Sequence, residues 1–463
     1  MSSDGRRLHP ADVVFQVLGA LRQLLVPLVL AVLLGAGGSG SGGGFVYGLA
    51  GVGFVLAVGI ARWSATRYAA GPEGLRFRSG LLSPDETLVP AARISALDTV
   101  QGPLQRLFGI VEVQVQTAGG GGKPEVVLRA VSRAEARALG EALGHPTGER
   151  PPPAWRLGPR RLVLAAVTAP QVGVLLPALG AAVAAAQDVL DTRAGRGLLD
   201  RAPDTPGQVL LVVAVLAAAA LAVSVAGAIV AFAGFEVVAD GERLSIRRGL
   251  LQRRAASVPV ERVHAVSVVE SPARQPLGLV TVRLETAGYR EGSAATRTLL
   301  PLATRDEAAA VLGRLLPALA GAAGPLQRPP RRARRRYLTV PVLAAAVPAA
   351  VLAALVPAAW PGSVALLALA AGLGALRHAD AGWRLEGGRL VVRQRRLARA
   401  TLVARAAKLQ AHAVARTPLQ RRAGLARFAV VVGSGRRAHV AHLEAAVADA
   451  LFARLRPSRR RAI

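Results

Sequence analysis

Residues 89–119 read VPAARISALDTVQGPLQRLFGIVEVQVQTAG, and residues 258–288 read VPVERVHAVSVVESPARQPLGLVTVRLETAG. A weaker third copy, VARAAKLQAHAVARTPLQRRAGLARFAVVVGSG, occupies residues 403–435. Self-similarity of this kind indicates a structural unit that is repeated along the chain. We therefore predict three copies of one small fold.

The spacing of a few landmark residues is the same in all three copies. In each copy a leucine precedes a proline by 28 residues, a basic residue precedes that proline by ten, and a glycine follows it by six. The leucines are Leu75, Leu244 and Leu390; the basic residues are Arg93, Arg262 and Lys408; the prolines are Pro103, Pro272 and Pro418; and the glycines are Gly109, Gly278 and Gly424. Proline and glycine at fixed positions indicate structural anchors that set turn geometry.

Each copy is predicted to consist of antiparallel strands closed by one C-terminal helix. Segments Val111–Thr117 and Val280–Thr286 alternate apolar and polar residues, as half-buried strands do. After the strands of the first two copies, a hydroxyl residue is followed three residues later by glutamate: Ser132 with Glu135, and Thr304 with Glu307. This is the spacing of a capping box, which marks the start of a helix.

Six apolar stretches alternate with these copies in pairs. They are Val13–Leu34 with Phe45–Ile60, Leu162–Ala186 with Val209–Phe232, and Leu338–Ala359 with Ser363–Leu376, the last pair being joined by Trp360–Gly362. A helix needs roughly 20 apolar residues to cross a bilayer, so Phe45–Ile60 and Ser363–Leu376 are short. We predict six transmembrane helices in three hairpins, the first of them a retained anchor rather than a cleaved signal peptide.

The charges predict the orientation. The segments between the hairpins are basic, whereas the loops inside the hairpins have no excess of basic residues. Because basic flanks stay in the cytoplasm, both termini and all three domains are expected there. The predicted order is an N-terminal segment with the first hairpin (1–61), a first β-rich domain (62–150), a second hairpin (151–232), a second domain (233–325), a basic segment with the third hairpin (326–376), and a degenerate third domain with a basic tail (377–463).

The composition agrees with a divided architecture and excludes several kinds of site. Apolar residues make up 52% and charged residues 19% of the 463, with a net charge of +30 carried almost wholly by arginine. There is no cysteine, which excludes disulfides, thiolate metal sites and cysteine nucleophiles. No paired carboxylates, HExxH motif or Ser/His/Asp set stands out. We therefore predict no catalytic, cofactor-binding or metal-binding residues.

The sequence resembles the bacterial pleckstrin-homology-like (bPH) domain membrane proteins. Three segments carry the resemblance: RFRSGLL at 76–82, PLQRLFG at 103–109 and VVLRAVSRAEA at 126–136. The resemblance covers nearly the whole chain, as three bPH units that each follow a helix pair. It implies that each domain is a bent antiparallel β-barrel or sandwich capped by a helix, in a bacterial plasma membrane. It also implies a non-enzymatic protein of a family with members linked to envelope protection. The third copy departs from the pattern at Ala423 and Ala426–Arg427.

Two sets of basic residues are candidate contacts for lipid headgroups or a protein partner. The first precedes the fifth span and contains Arg331, Arg332, Arg334, Arg335 and Arg336. Such a cluster attracts anionic lipid by about 1 kcal/mol per base, or it serves only as a topogenic stop that fixes orientation. The second set contains the repeated Arg93, Arg262 and Lys408, for which the alternative is a solvated residue at a strand end. The tail 454–461 is basic without an aromatic platform, so nucleic acid is not an expected partner.

These observations favour a non-enzymatic plasma-membrane scaffold or envelope-protection protein. Its expected partners are anionic membrane lipids, and also another membrane protein or a second copy of itself; no cofactor is expected. A transporter or channel component is the alternative, which the nearly charge-free spans disfavour. A membrane-bound enzyme is a third hypothesis, which the missing catalytic constellations disfavour.

Overall fold

The computed structural model describes residues 5–15, 53, 56–80, 83–117, 124–144, 152–168, 206–286, 298–321, 324–356, 358 and 360–456. The chain divides into two compact units. The first unit contains Met1–Pro152, Val238–Pro259 and Gly288–Gly292, and the second contains Pro153–Val237, Val260–Ala287 and Ser293–Ile463.

The first repeat folds into two antiparallel sheets and two helices. Its strands are β1 Arg6–Arg7, β2 Arg67–Gly71, β3 Gly74–Ser79, β4 Asp85–Pro90, β5 Ile94–Gln101, β6 Ile110–Thr117 and β7 Val126–Ser132, and its helices are α1 Pro103–Leu107 and α2 Arg133–Ala142. Strands β1 to β4 pair in sequence order, and so do β5 to β7. The short strand β1 adds an edge to this domain from the segment that precedes the first predicted hairpin.

One apolar core lies between the two sheets of the first repeat. Leu75 and Val89 on one sheet, and Val115 and Leu128 on the other, are at most 1% exposed and belong to one cluster. Leu139 of α2 packs on the same cluster. Burial of a side chain of this size contributes about 1.5–3 kcal/mol, so this shared core stabilises the two sheets as one domain.

The predicted capping boxes are confirmed. Ser132 Oγ accepts a hydrogen bond from the Glu135 amide at 3.1 Å, and the Glu135 carboxylate accepts one from the Ser132 amide at 3.2 Å. Thr304 and Glu307 make the same pair of bonds at the next helix. In the third repeat Glu444 occupies the cap position and makes no side-chain capping bond.

The first strands of the second repeat extend a sheet of the first repeat. The elements of this part are β8 Trp155–Arg156, α3 Pro159–Val167, α4 Pro206–Phe232, β9 Glu236–Asp240, β10 Arg243–Arg248 and β11 Arg253–Pro259. Strand β11 pairs antiparallel with β5, with Arg253 opposite Gln101 and Ala255 opposite Thr99. The strand order within the first unit is therefore β7-β6-β5-β11-β10. We call the β5–β11 pairing the first joint.

The same pairing recurs one repeat later, inside the second unit. The remaining elements are β12 Val263–Glu270, β13 Leu279–Thr286, β14 Thr298–Thr304, α5 Arg305–Leu315, α6 Arg334–Leu355, α7 Trp360–Asp380, β15 Gly382–Glu386, β16 Arg389–Arg395, β17 Arg399–Arg405, β18 Leu409–Ala415, α8 Pro418–Arg422, β19 Leu425–Val432, β20 Arg437–Glu444 and α9 Ala445–Arg454. Strand β17 pairs with β12, from Ala265 opposite Ala404 to Glu270 opposite Arg399. The order is β14-β13-β12-β17-β16-β15, while β18, β19 and β20 form their own sheet. We call the β12–β17 pairing the second joint.

The boundary between the compact units thus runs through the second repeat, because β11 belongs with β5 and β12 belongs with β17. The third repeat keeps a core of its own, in which Leu402, Phe428 and Leu451 are at most 3% exposed. The compact units therefore follow the joints rather than the limits of the repeats.

Two helices among the described residues are long and apolar enough to cross a membrane, Arg331–Leu355 and Trp360–Asp380. A shorter apolar helix, Ala218–Phe232, is the last part of α4. The sequence predicts six spans, and three of these lie largely outside the described residues: Val13–Leu34, Phe45–Ile60 and Leu162–Ala186.

The third predicted hairpin corresponds to α6 and α7, with different bounds. The prediction that Trp360–Gly362 forms the connecting loop is wrong, because α7 already begins at Trp360. Pro361 is the second residue of this helix, where a missing N–H breaks no intrahelical bond. Helix α6 ends at Leu355 and has 22 residues, and α7 has 21 residues.

A glycine lets α6 and α7 pack closely. A Cβ atom added at Gly374 would lie 2.7 Å from the Leu338 Cα, closer than atoms can approach. Near the other end of the pair, Ser363 Oγ donates a hydrogen bond to the Ala349 carbonyl at 2.8 Å. Small residues and a hydroxyl bonded to a neighbouring carbonyl are the usual means of helix association in lipid.

Candidate functional site

The repeated basic residues occupy the same structural position in each copy. Arg93, Arg262 and Lys408 each end a 3-10 turn that connects the two sheets of a repeat, directly before β5, β12 and β18. Arg93 and Lys408 are exposed and Arg262 is half-buried. Because they lie on three separate turns, each repeat presents its own basic residue.

Lys408 lies close enough to the second repeat to affect a histidine there. Burial, and then the positive charges of Lys408 and Arg405, lower the pKa of His264 below its usual value. His264 is therefore neutral at pH 7. The charge of Lys408 thus contributes to the electrostatics of the second joint, besides any contact with a ligand.

The repeated glycines have left-handed backbones. Gly109, Gly278 and Gly424 have φ of 67°, 64° and 63°. Pro103 and Pro418 open α1 and α8, while the equivalent Pro272 lies in a turn, 272–278. A side chain in the left-handed region costs roughly 1–2 kcal/mol, which is a physical reason for glycine at these positions.

The arginine cluster, Arg331, Arg332 and Arg334–Arg336, forms the start of α6. Arg331 and Arg332 lie in a 3-10 turn, and Arg334, Arg335 and Arg336 form the first turn of the helix. The first four are exposed and Arg336 is half-buried. Cations are unfavourable at a helix N-terminus by about 0.3–1 kcal/mol each, so helix stability does not account for this cluster.

Only one of these arginines has an acidic partner among the described residues. Arg332 Nη2 lies 3.1 Å from Glu444 Oε1, and both side chains are about half exposed. An exposed pair of this kind contributes little, about 0–1 kcal/mol. The cluster therefore remains strongly positive.

The start of α6 is fixed to the third repeat. Tyr337 is 9% exposed, and its hydroxyl donates a hydrogen bond to the Ala441 carbonyl. Its ring meets those of His378 and His442 edge-on, with centroids 5.5 and 5.1 Å away. Ala333, one turn earlier, is fully buried. The arginine cluster is thus held in a defined position beside the third repeat.

A network of ion pairs joins the end of α7 to the second joint. Glu270 accepts from Arg305 at 2.6 Å and from Arg399, and Arg399 also lies 3.3 Å from Asp380. Asp380, the last residue of α7, is bonded to Arg395 at 2.5 Å. Burial raises the pKa of Glu270, but the hydrogen bonds from Arg399 and Arg305 outweigh it, so the net pKa is below its usual value.

A cavity of about 210 Å³ lies beside this network. Its polar walls include Glu270, Arg305, Arg393 and Arg399, and its apolar walls include Leu312. The guanidinium groups are already engaged, since Arg305 and Arg399 bind Glu270 and Arg393 donates to a threonine hydroxyl at 3.0 Å. The arrangement therefore acts first as a structural joint.

The first joint has an amide side chain at the position that Glu270 occupies in the second joint. Gln101 and Glu270 each lie two residues before the repeat proline, and Arg133 and Arg305 each follow the helix-capping hydroxyl residue. In the first repeat Arg133 Nη2 donates to Gln101 Oε1 at 2.8 Å. The two joints thus use the same positions, once with an amide and once with a carboxylate.

Arg274 is a further interaction site that the sequence interpretation missed. It is 4% exposed and donates to the Ala165 carbonyl and Thr168 Oγ1, both at 2.9 Å, and to the Pro301 carbonyl. Burial, and then Arg283, lower its pKa to about 10, so it remains charged at pH 7. Its guanidinium therefore holds the C-terminal end of α3 against the second repeat.

A signal for this contact was present in the sequence. The equivalents of Arg274 in the other repeats are Gln105 and Gln420, which are also buried. Both bond inside their own repeat: Oε1 accepts from the Gly102 or Thr417 amide, and Nε2 contacts the Arg129 carbonyl or His442 Nδ1. An arginine at a position that is otherwise glutamine indicates a longer reach, here to a neighbouring helix.

The Bacterial PH domain model matches the chain three times, at residues 13–147, 174–319 and 339–459. Each match begins in a predicted hairpin and ends in or after the last helix of a repeat. The chain is 25% identical over 452 residues to the UPF0699 transmembrane protein YdbT of Bacillus subtilis (strain 168), covering 89% of each chain. No solved structure matches it.

Proposed function

The chain belongs to the bacterial PH domain family, and from this premise we propose that it is a non-enzymatic scaffold of the bacterial plasma membrane, in which PH-like domains contact anionic lipid headgroups at the cytoplasmic surface. The observation that carries the proposal is the arginine cluster at the start of α6, a helix apolar enough to span a bilayer. Insertion of α6 places this cluster at the membrane interface. A role in protecting the cell envelope follows as the physiological expectation.

Electrostatics supports a lipid contact. The cluster is mostly exposed and has one weak acidic partner among the described residues, so its charge is available to a ligand. Each base near an anionic surface contributes about 1 kcal/mol. The family relative is named as a transmembrane protein, which agrees with a chain held at that surface.

The connections of the hairpin support a scaffold. Tyr337 fixes the start of α6 to the third repeat, and Asp380 ties the end of α7 to Arg399 and through it to Glu270 of the second repeat. A lipid contact at the cluster would therefore orient these two repeats toward the membrane. A rigidly oriented surface suits a protein that holds partners in place.

The test is lipid retention by the full chain. The triple variant Arg331→Gln, Arg334→Gln, Arg335→Gln removes three exposed charges of the cluster, while a control variant removes three exposed arginines elsewhere: Arg137→Gln, Arg314→Gln and Arg437→Gln. Native mass spectrometry of the detergent-purified proteins measures retained phosphatidylglycerol against phosphatidylcholine. At about 1 kcal/mol per base, the cluster variant should retain anionic lipid up to about 100-fold less tightly at low salt.

Two outcomes contradict the proposal. Equal losses in the two variants would show a general effect of net charge, and unchanged retention in the cluster variant would remove the contact. Protease accessibility of the C-terminal tail in spheroplasts is measured in parallel. An inverted orientation with unchanged lipid retention would identify the cluster as a topogenic stop alone.

A further inference from the structure

The two internal joints are equivalent in sequence position. Gln101 and Glu270 lie two residues before the repeat proline, and their partners Arg253 and Arg399 lie nine residues after the repeat leucine. Each joint thus pairs the first strand of one repeat's second sheet with the last strand of the next repeat's first sheet, in the same register. A register that occurs twice in one chain is a property of the repeat rather than of one site.

The third repeat has the same first strand, and among the described residues no strand of another repeat pairs with it. β18 is the equivalent of β5 and β12, and it forms one edge of its three-stranded sheet. Residues of β12 are buried or half-buried, whereas four of the seven residues of β18 are exposed. At the other end of the chain, β4 is the equivalent of β11 and β17 and forms the edge of the β1–β4 sheet. No other strand among the described residues pairs with either edge.

We propose that β18 of one molecule pairs with β4 of a second copy of this chain, in the register of the internal joints. The register places Ala415 opposite Asp85, Ala413 opposite Thr87 and Ala411 opposite Val89. This inference rests on strand pairing and is independent of the proposed lipid contact. The assembly repeats between molecules the arrangement that the chain makes twice within itself.

The β18 edge and the apolar part of β4 are suited to pairing, whereas Asp85 and Glu86 at the start of β4 are exposed carboxylates. From Leu409 to Ala415, β18 contains no Lys, Arg, Asp, Glu or Pro, the residues that usually protect an exposed edge. Its bulge between Leu409 and Ala411 is no obstacle, because β12 has the equivalent bulge and is paired. On β4, Leu88 is 50% exposed, and its equivalent Val403 is buried in the second joint. The pairing would cover Leu88 in the same way.

The contact joins two different edges, so it is heterologous. Each added molecule leaves one β18 and one β4 edge for another, which generates a ring if the rotation closes and an open chain if it does not. A membrane protein assembled in this way would form an array of PH-like domains. Weak individual contacts are sufficient in such an array, because each molecule is held by two neighbours.

The chain has no cysteine, so engineered cysteines report the contact directly. One tagged population carries Ala413→Cys and a second carries Thr87→Cys, and the two are co-expressed in membranes and oxidised. The neighbouring pair Val414→Cys with Glu86→Cys is tested as well, since successive antiparallel pairs alternate between closer and wider side chains. Arg437→Cys, on an exposed site of β20, replaces Thr87→Cys in the collision control.

The expected result is a mixed disulfide dimer in at least one register pair, about tenfold above the Arg437→Cys control. Leu88→Lys places a charge on the exposed β4 edge and should abolish the product while the thermal midpoint of the purified protein stays unchanged. Cross-linking no greater than in the control overturns the proposal. So does a homodimer of Ala413→Cys alone that matches the mixed product, because it would indicate pairing of β18 with itself.

Discussion

Replacing Glu270 tests the charge network that joins the second repeat, the third repeat and the end of α7. Its side chain is 7% exposed and accepts hydrogen bonds from Arg305 and Arg399. Glu270→Ala removes the carboxylate and leaves the mostly buried Arg399 with Asp380 alone. Removal of one partner from a buried pair costs about 3–5 kcal/mol. Arg305 is 51% exposed and returns to water, so its lost bond adds little.

Glu270→Gln should cost much less, because the first joint already uses glutamine at this position. Gln101 accepts the Arg133 bond there at 2.8 Å. The variant keeps one acceptor oxygen, which can still serve Arg305 and Arg399, and replaces the other oxygen with an NH2 group that cannot accept. Each hydrogen bond that remains loses its charge assistance, a change from about 1.5–3 to about 0.5–1.5 kcal/mol. We therefore expect a loss of about 2 kcal/mol for Glu270→Gln and about 3–5 kcal/mol for Glu270→Ala.

The assay is thermal unfolding of the full chain in detergent, followed by tryptophan fluorescence. At about 2–4 °C per kcal/mol, Glu270→Ala should lower the midpoint by roughly 10 °C and Glu270→Gln by about 4 °C. The control Glu261→Ala changes an exposed carboxylate of the same repeat and should leave the midpoint unchanged. A Glu270→Ala midpoint within 2 °C of the wild type would refute the reasoning that this pair is buried and uncompensated.

The difference in stability between the wild type and Glu270→Gln should depend on pH. The folded pKa of Glu270 is lowered, so its contribution is present in full above the unfolded pKa near 4.3 and is lost as the pH falls through the folded pKa. The difference between the wild type and Glu270→Gln should be constant from pH 6 to 8. It should shrink below about pH 4, and a difference that grew in acid would contradict the assignment.

Five further changes have defined outcomes in the same unfolding assay. Arg274→Met leaves several buried oxygens without a donor and should cost about 3 kcal/mol or more. Tyr337→Phe removes one hydrogen bond and should cost about 1 kcal/mol, with no change in packing. Gly278→Ala should cost about 1–2 kcal/mol because its φ is positive, whereas Gly313→Ala, inside α5 with open space around it, should stabilise by up to about 1 kcal/mol. Burial raises the pKa of Asp98 to about 7, so the free energy of unfolding of the wild type decreases as the pH rises from about 4 to about 7. Asp98→Asn lacks this titration, and its unfolding midpoint should therefore rise relative to that of the wild type between pH 5 and pH 8.

Local signals made the repeat predictable from sequence. The spacing of Pro103 and Gly109 recurs because each turn between two strands needs the same backbone geometry, and the geometry depends on neighbouring residues. The capping boxes at Ser132 and Thr304 are likewise predictable, because each depends on residues within a stretch of four. Such signals determine elements and turns without knowledge of the distant chain.

The joints and their charges were not predictable in the same way. Strand edges pair through backbone N–H and C=O groups, which every residue supplies, so β5 does not encode β11 as its neighbour. Glu270 and Arg399 are far apart in sequence and become a pair only because β12 and β17 align in the register that places them opposite each other. The arginine cluster is recognisable from composition alone, whereas the roles of Tyr337 and Asp380, which connect the hairpin to the repeats, depend on the fold.

The joints also impose an order on biosynthesis. The edge of β5 is completed by β11, and the whole second predicted hairpin must be translated between the two strands. At about 5–20 residues per second, this edge stays open on the ribosome for roughly 10–30 s. Because an unpaired strand edge can pair with another chain, a pause in translation before β11 would prolong the exposure to aggregation. The length of chain between β5 and β11 therefore sets the earliest time at which the first repeat receives its neighbour.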